Sequence, residues 1–294
     1  MRKAIIDLGT NTFNLLIGEL DGDDLTILHS EKIPVMLGMG GINEGRIADD
    51  AFERAMSALS IFKKKADSFD VESIKGVATS AVRSAANGHE LVSRSLNEIG
   101  IEIVVIDGLA EADLIRKGVS LTMPISKPSV IMDIGGGSTE FIHLDHSQVI
   151  DMESLNIGVS RIYQMLGKPE NFSEACIKKI IDFLEIQSTG KFGYEADVLI
   201  GASGTFETFY EMLSEEHFVS NGKAIQLDSE KLDEVINWSI TASLDERNAH
   251  PWIVEMRKRM LPIGAVKVKW IMEKLNVKEV WISPYSLKEG AFVS

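Results

Sequence analysis

Hydrophobic and polar positions alternate along the chain with the periods of strands and of amphipathic helices. Short apolar runs typical of strands lie at residues 4–8, 14–19, 25–30, 73–79 and 101–106. Helical periodicity covers residues 49–66, 89–99 and 110–120, and a short helix begins at Ser80. The second half repeats this plan and then becomes mainly helical, with a late strand at 280–283. The pattern predicts an α/β fold in which helices flank mixed sheets.

One local pattern occurs twice. In "AIIDLGTNTFNLLI" an apolar run ends in Asp7, a polar turn follows, and apolar residues resume at Leu15. In "SVIMDIGGGSTEFIHL" the same order recurs around Asp133, roughly one domain length further along the chain. Each copy predicts a strand, a glycine-rich turn and a second strand. A single copy would be read as a hairpin with a polar turn, but a matched pair predicts two domains whose turns line one cleft.

The composition of these turns suits phosphate. Glycines let successive backbone N–H groups point into one concavity, and Ser or Thr hydroxyls add donors. The candidate phosphate-binding residues are Gly9, Thr10, Asn11, Thr12, Gly135, Gly136, Gly137, Ser138 and Thr139. The aspartate before each turn does not favour a bare phosphate, but it can hold Mg²⁺, which bridges to phosphate. Asp7 and Asp133 are therefore candidate metal ligands.

A third turn follows the strand at 198–200, in "DVLIGASGTFETF". Ser203, Gly204 and Thr205 would lie at the N-terminus of a helix, where unpaired N–H groups and the helix dipole favour an anion. The alternative is an ordinary strand-to-helix turn with Thr205 as its N-cap.

Three further charged residues are candidates by position. Glu111 follows a buried strand, where ligand clefts open in α/β sheets; the alternative is a glutamate favoured by the helix dipole. Glu140 would face Asp133 across the second hairpin and share a metal with it, unless it points outward. Arg83 lies in the first turn of a helix, where the dipole does not favour a cation. A phosphate partner would explain it, and so would a surface salt bridge.

Five ordered segments, "DLGTNTFNLLI", "ATSAVRSAANG", "GLAEADLI", "DIGGGSTEF" and "GASGT", resemble the exopolyphosphatase / guanosine pentaphosphate phosphohydrolase family. That family belongs to the actin, sugar kinase and heat-shock chaperone superfamily. The resemblance implies two actin-like (ribonuclease H-like) domains with the active site in the cleft between them. The prolines in "TMPISKP" favour a boundary there, giving domains 1–122 and 123–294. The last helix is a candidate to pack back on the first domain.

The resemblance also implies residue roles. Glu111 matches the general base that activates water, and Arg83 matches an arginine of the cleft. Asp133 and Glu140 would bind metal or position water, together with Asp7. The family commonly has an arginine where this chain has Asp113, so we expect one phosphate contact fewer and added repulsion. The extra C-terminal domains of longer members have no counterpart in these 294 residues.

The net charge of −14 argues against nonspecific binding to nucleic acid and requires local cations for an anionic substrate. The densest basic cluster in the second half, residues 255–262, is a candidate to meet a polyanion. The six histidines show no metal-site spacing, which argues against a histidine-metal phosphohydrolase. We find no apolar run long enough to span a membrane and no signal peptide, which indicates a cytoplasmic protein.

The leading functional hypothesis is a phosphohydrolase that uses Mg²⁺, or alternatively Mn²⁺, to release orthophosphate from a terminal phosphoanhydride. The substrate would be inorganic polyphosphate, guanosine penta/tetraphosphate, or both. One alternative is a non-catalytic sensor that binds these ligands. Another is an ATP-dependent sugar kinase of the same fold, against which the Arg83 and Glu111 matches argue. On resemblance alone we expect a homodimer.

Overall fold

The structure is a computed structural model that describes residues 2–22 and 24–294. The elements of the first half are β1 (Arg2–Leu8), β2 (Thr12–Asp21), β3 (Asp24–Pro34), α1 (Asp49–Asp67), β4 (Ser73–Ala78), α2 (Ser80–Arg83), α3 (Gly88–Arg94), β5 (Glu102–Val105) and α4 (Gly108–Ser120). Those of the second half are β6 (Ser129–Ile134), β7 (Thr139–Asp145), β8 (Gln148–Leu155), α5 (Val159–Met165), α6 (Glu174–Gln187), β9 (Val198–Gly201), α7 (Gly204–Ser214), β10 (Ile225–Leu227), α8 (Ser229–Thr241), α9 (Leu244–Ala249), α10 (Leu261–Leu275), β11 (Glu279–Ile282) and α11 (Leu287–Phe292).

The strands form two mixed sheets, one in each half of the chain. The first has the order β3-β2-β1-β4-β5, with β1, β2 and β3 antiparallel and β1, β4 and β5 parallel. The second has the order β10-β11-β9-β6-β7-β8, with a parallel centre of β11, β9 and β6. Both predicted hairpins are present, as β1–β2 and β6–β7. The predicted fold class, α/β with two mixed sheets flanked by helices, is confirmed.

The central strands are apolar on both faces because helices cover both sides of each sheet. On β1, Ala4, Ile6 and Leu8 pack into a core shared with α1, whereas Ile5 faces Phe292 of α11. The strand period of two residues therefore puts Asp7 on the same face as Ile5. By the same alternation Asp133 shares a face with Ile131, and Glu140 with Ile142, the face of the second sheet that α4 covers. All three carboxylates thus lie on sheet faces covered by α4 or α11.

Helices α4 and α11 each pack against the sheet of the other half. Ile115 and Val119 of α4 are buried in one cluster with Ile131 and Ile142 of the second sheet. Phe292 of α11 is buried against the first sheet. A division at residues 122/123 falls between the two sheets in sequence, and we propose it as the domain boundary, with α4 and α11 crossing between the domains.

The crossing of α4 and α11 is closer than side chains would allow. A Cβ atom added at Gly118 would lie 1.9 Å from the Ser286 carbonyl oxygen, and one added at Gly290 would lie 1.8 Å from the Leu114 carbonyl oxygen. Glycine at both positions lets the two backbones touch. The two helices that connect the halves therefore meet directly at these glycines.

Within the described residues, no helix combines the length and the apolar composition needed to cross a bilayer.

Candidate active site

The two glycine turns face each other at the junction of the halves. A Cβ atom added at Gly136 would lie 2.8 Å from Thr10 Cβ and 2.9 Å from Asn11 Oδ1, so only glycine allows this approach. The Ser160 hydroxyl, from α5, donates to Asn11 Oδ1 at 2.6 Å. A Cβ at Gly137 would lie 2.5 Å from Ser80 Oγ. The two glycine turns predicted from the sequence are therefore in contact with each other.

A cavity of about 240 Å³ lies between the turns. Its wall includes all but two of the residues predicted to bind phosphate, metal or the attacking water, namely Asp7, Gly9, Thr10, Asn11, Thr12, Glu111, Asp133, Gly135, Gly136, Gly137, Ser138, Glu140, Ser203, Gly204 and Thr205. The exceptions are Arg83, which reaches the cavity through Glu111, and Thr139.

Thr139 faces away from the cavity. Its hydroxyl donates to the Ser138 carbonyl at 2.9 Å and accepts a hydrogen bond from the ammonium group of Lys267, a lysine of α10 with no exposed surface. Thr139 starts β7, so the strand alternation that turns Glu140 inward turns Thr139 towards α10. The predicted phosphate contact of Thr139 is therefore not supported by the structure.

Carboxylates face each other across the second hairpin but not across the first. Asp133 and Glu140 are directly opposite residues in the β6–β7 ladder, on the face covered by α4. In the first hairpin the residue opposite Asp7 is Asn14, whose amide donates to Asp7 Oδ2 at 2.9 Å. Like charges directly opposite each other destabilise a sheet, so a bound proton or cation would stabilise the Asp133–Glu140 pair.

The pKa values of these carboxyl groups are raised by burial and by repulsion between the carboxylates. Burial, followed by the charge of Glu140, raises the pKa of Asp133 to about 8, although the Ser286 hydroxyl donates to Asp133 Oδ2 at 2.6 Å. Burial raises the pKa of Asp7 to about 6 against the lowering effect of Asn14. Burial also raises the pKa of Glu140, whose Oε1 accepts from the Ser154 hydroxyl at 2.7 Å.

Glu111 is buried in the cavity wall at the first turn of α4, where Asp107 is the N-cap and accepts from the Ala110 N–H at 2.8 Å. Its Oε2 accepts from Arg83 Nη1 at 2.9 Å. Burial and the charge of Glu140 raise the pKa of Glu111 to about 9, while Arg83 lowers it. The structure therefore brings the two predicted catalytic residues into contact.

Several cavity residues did not stand out in the sequence. One is Ser80, whose buried hydroxyl oxygen, like that of the predicted Ser203, lines the cavity and finds no partner among the described residues. The cavity wall also contains the long polar side chains of Lys32, Glu207, Arg257 and Lys288. Arg257 comes from the basic cluster at 255–262, the one sequence signal that pointed towards this group.

Asp113 does not add the expected repulsion. Its Oδ1 accepts from two nitrogens of Arg116, at 3.0 and 2.7 Å, and Lys117 lies 3.2 Å from its Oδ2. Asp113 is also absent from the cavity wall. The charge of Asp113 is therefore balanced on the surface of α4.

Comparisons with known proteins agree with this geometry. A crystal structure of an exopolyphosphatase from Cytophaga hutchinsonii ATCC 33406 has a TM-score of 0.93 and 31% identity, covering 99% of this chain and 96% of that one. A structure of the Aquifex aeolicus PPX-GPPA enzyme has a TM-score of 0.82 and 25% identity over 100% of this chain and 99% of that one.

A curated relative from Aeromonas salmonicida (strain A449), named guanosine-5'-triphosphate,3'-diphosphate pyrophosphatase, is 28% identical over 293 residues, 98% of this chain. The chain spans only 58% of that relative's length. The sequence pattern of the Ppx/GppA phosphatase family matches residues 16–294, which include the second and third turns, Arg83 and Glu111. With the turns, the carboxylates and the fold in agreement, the chain belongs to the Ppx/GppA phosphatase family.

Proposed function

We propose that this chain is a phosphohydrolase that releases orthophosphate from the terminal phosphoanhydride of inorganic polyphosphate or of guanosine pentaphosphate. The observation that carries the proposal is the Arg83–Glu111 contact, which holds a buried carboxylate in the wall of a cavity lined by three phosphate-type turns. The names of the Cytophaga and Aeromonas relatives favour these two substrate classes. Both substrates present a terminal phosphate that the same turns would bind.

We infer that a divalent cation, Mg²⁺ or Mn²⁺, assists the reaction. Among the described residues, no three His, Cys, Asp or Glu side chains stand close enough together to enclose a metal. Mg²⁺ does not need such a cage, since it is usually held by one or two carboxylates, waters and substrate phosphates. The facing pair Asp133 and Glu140, with Asp7 nearby, fits that description. Bound there, the cation would neutralise phosphate charge and lower the barrier to attack by water.

The chain's own residues then divide the work. N–H groups of the turns, and the hydroxyls of Ser80 and Ser203, which have no partner among residues 2–22 and 24–294, would hold the oxygens of the terminal phosphate. Glu111 accepts a proton from the water that attacks the terminal phosphorus, and the bond from that phosphorus to the bridging oxygen breaks. Arg83 orients Glu111 and favours its ionised form. A cation held beside Glu140 would offset one of the charges that raise the pKa of Glu111 and so favour the ionised form of the base.

The test is orthophosphate release by the purified protein with MgCl₂, using polyphosphate of defined length and guanosine pentaphosphate in parallel. Glu111→Gln should lower kcat by about 10²–10⁴, the usual contribution of a general base, while the matched exposed variant Glu90→Gln keeps wild-type rates. Release that persists in Glu111→Gln would exclude Glu111 as the base. Binding of either substrate without release by the wild type would instead indicate the non-catalytic sensor.

The homodimer and the cytoplasmic location stay predictions. Light scattering coupled to size-exclusion chromatography tests the first, and fractionation of cells tests the second.

A further inference from the structure

Lys32, Glu207 and Arg257 form a charged cluster that joins the two halves of the molecule. Lys32 lies on β3 of the first sheet, and its ammonium nitrogen lies 2.8 and 3.1 Å from the two carboxylate oxygens of Glu207 on α7. Arg257 Nη2 donates to Glu207 Oε2 at 2.6 Å. One carboxylate thus receives hydrogen bonds from two cations, and all three side chains line the cavity.

Arg257 is held in place by α7 itself. Its Nη1 donates to Thr208 Oγ1 at 3.0 Å. A Cβ atom added at Gly204 would lie 2.2 Å from Arg257 Nη2, so the guanidinium lies directly on the backbone of the third turn. The Glu207 carboxylate is therefore held between two cations, one of which is anchored on α7 itself.

This cluster differs from the inner end of the cavity in charge and in exposure. The inner end contains the buried carboxylates Glu111 and Glu140, whereas the side chain of Lys32 is 48% exposed and that of Glu207 is 23% exposed. Two cations against one carboxylate leave an excess positive charge at the mouth. A chain of phosphates with its terminal group at the inner end would meet these cations further out.

Glu207 stays ionised over the whole working range of pH. Burial on its own would raise its pKa, but Lys32 and Arg257 lower it to about 2. A carboxylate presents two charged oxygens to these donors, as a phosphate does, and Arg pairs with either group through the same N–H fork. Glu207 therefore presents a permanent internal anion to Lys32 and Arg257.

We propose that Lys32 and Arg257 form a second phosphate subsite at the mouth of the cavity, and that Glu207 occupies it until a distal phosphate of the substrate displaces it. This inference rests on the proposed function, because it names the part of the site that binds the second and later phosphates. Displacement also breaks the Lys32–Glu207 contact between the halves. A terminal phosphate alone, bound at the inner end, would leave that contact in place.

The experiment measures binding by calorimetry in a Glu111→Gln background, which prevents turnover, with MgCl₂ and inorganic tripolyphosphate or orthophosphate as ligand. Replacing Glu207 by Gln removes the competing charge, so tripolyphosphate should bind about 10-fold more tightly, equivalent to about 1.4 kcal/mol. Orthophosphate, which does not reach the mouth, should keep its Kd. Glu215→Gln is the matched control, because it removes one exposed charge from the end of the same helix and should leave both Kd values unchanged.

Further variants distinguish a phosphate subsite from a purely structural ion pair between the halves. Lys32→Gln should weaken the binding of tripolyphosphate. The double variant, Lys32→Gln with Glu207→Gln, should lose most of the gain in affinity that Glu207→Gln gives alone. If Glu207→Gln does not fold, Glu207→Ala takes its place. An unchanged or weaker tripolyphosphate Kd in the folded Glu207 variant would overturn the proposal and leave a structural ion pair. Equal tightening of orthophosphate would also overturn it.

Failure of the proposed function gives a different result. If wild-type protein binds tripolyphosphate without releasing orthophosphate, the hydrolase proposal fails, while the ratio of Kd values between the Glu207 variant and its parent still tests the subsite.

Discussion

Arg83 Nη1 donates to Glu111 Oε2 at 2.9 Å, joining the end of α2 to the start of α4 across 28 residues of sequence. The same nitrogen donates to the Ile106 carbonyl at 2.9 Å, which fixes the guanidinium against the end of β5. Arg83 is thus a positioning residue for Glu111 as well as a candidate to bind phosphate. Both carboxylate orientation and carboxylate ionisation depend on it.

Removing Arg83 should therefore change the pH dependence of the reaction and not only its rate. Because Arg83 lowers the pKa of Glu111, Arg83→Gln should move the acid limb of the kcat/KM profile to higher pH. Loss of positioning should also reduce kcat by about 10²-fold. Arg83→Lys, which keeps the charge, should restore the position of the limb in part. If the acid limb does not move in Arg83→Gln, the Arg83–Glu111 contact does not set the pKa of the general base.

A divalent cation should stabilise the fold through Asp133. At a Mg²⁺ concentration 100 times its Kd, a site absent from the unfolded chain adds about 2.7 kcal/mol of stability. Thermal unfolding with MgCl₂ and with EDTA should show this increase in the wild type and lose most of it in Asp133→Asn. Asp113→Asn is the matched control, since Asp113 is paired on the surface of α4 outside the cavity. An equal Mg²⁺ effect in both variants would place the cation elsewhere.

Without metal, the free energy of unfolding should fall as the pH rises from 6 to 9. The folded pKa values of Asp133 and Glu111, about 8 and about 9, lie above the ordinary values of 3.8 and 4.5. Over this range the native state holds protons that the unfolded state has lost, so raising the pH favours unfolding. Each such proton contributes a slope of about 1.4 kcal/mol per pH unit.

Urea unfolding in EDTA at pH 6, 7 and 8 measures this dependence. Glu111→Gln should reduce the slope but not abolish it, because the variant has no proton to lose at that position while Asp133 still does. A wild-type stability that rises between pH 6 and 8 would show that these carboxylates are ionised in the metal-free fold.

The crossing of α4 and α11 should not tolerate a methyl group. Gly118→Ala forces a Cβ atom into the carbonyl oxygen of Ser286, the N-cap of α11, and Gly290→Ala forces one into that of Leu114 on α4; overpacking of this kind costs about 1–3 kcal/mol. Gly193→Ala is the control, since a Cβ there meets nothing within 4 Å. Urea unfolding of the three variants provides the comparison. Stability equal to that of Gly193→Ala would mean that the helices separate at no cost.

The local parts of the site follow from short stretches of the amino-acid sequence. Each glycine turn follows a strand whose alternation fixes the face on which its aspartate lies, so the Asp133–Glu140 pairing could be predicted from the β6–β7 hairpin alone. The third turn and the place of Glu111 at the start of α4 could be predicted in the same way. These features depend on backbone sterics and on residues a few positions apart, which a short stretch of sequence contains.

Which side chains share the cavity depends on packing between distant parts of the chain. Thr139 belongs to the same motif as Glu140, yet it contacts Lys267 because α10 packs on its face of the sheet. Arg83 contacts Glu111, and Lys32 contacts Glu207, because α4 and α7 each meet residues from distant parts of the chain. Such contacts depend on which apolar surfaces are buried together, a property of the whole chain that no local periodicity contains.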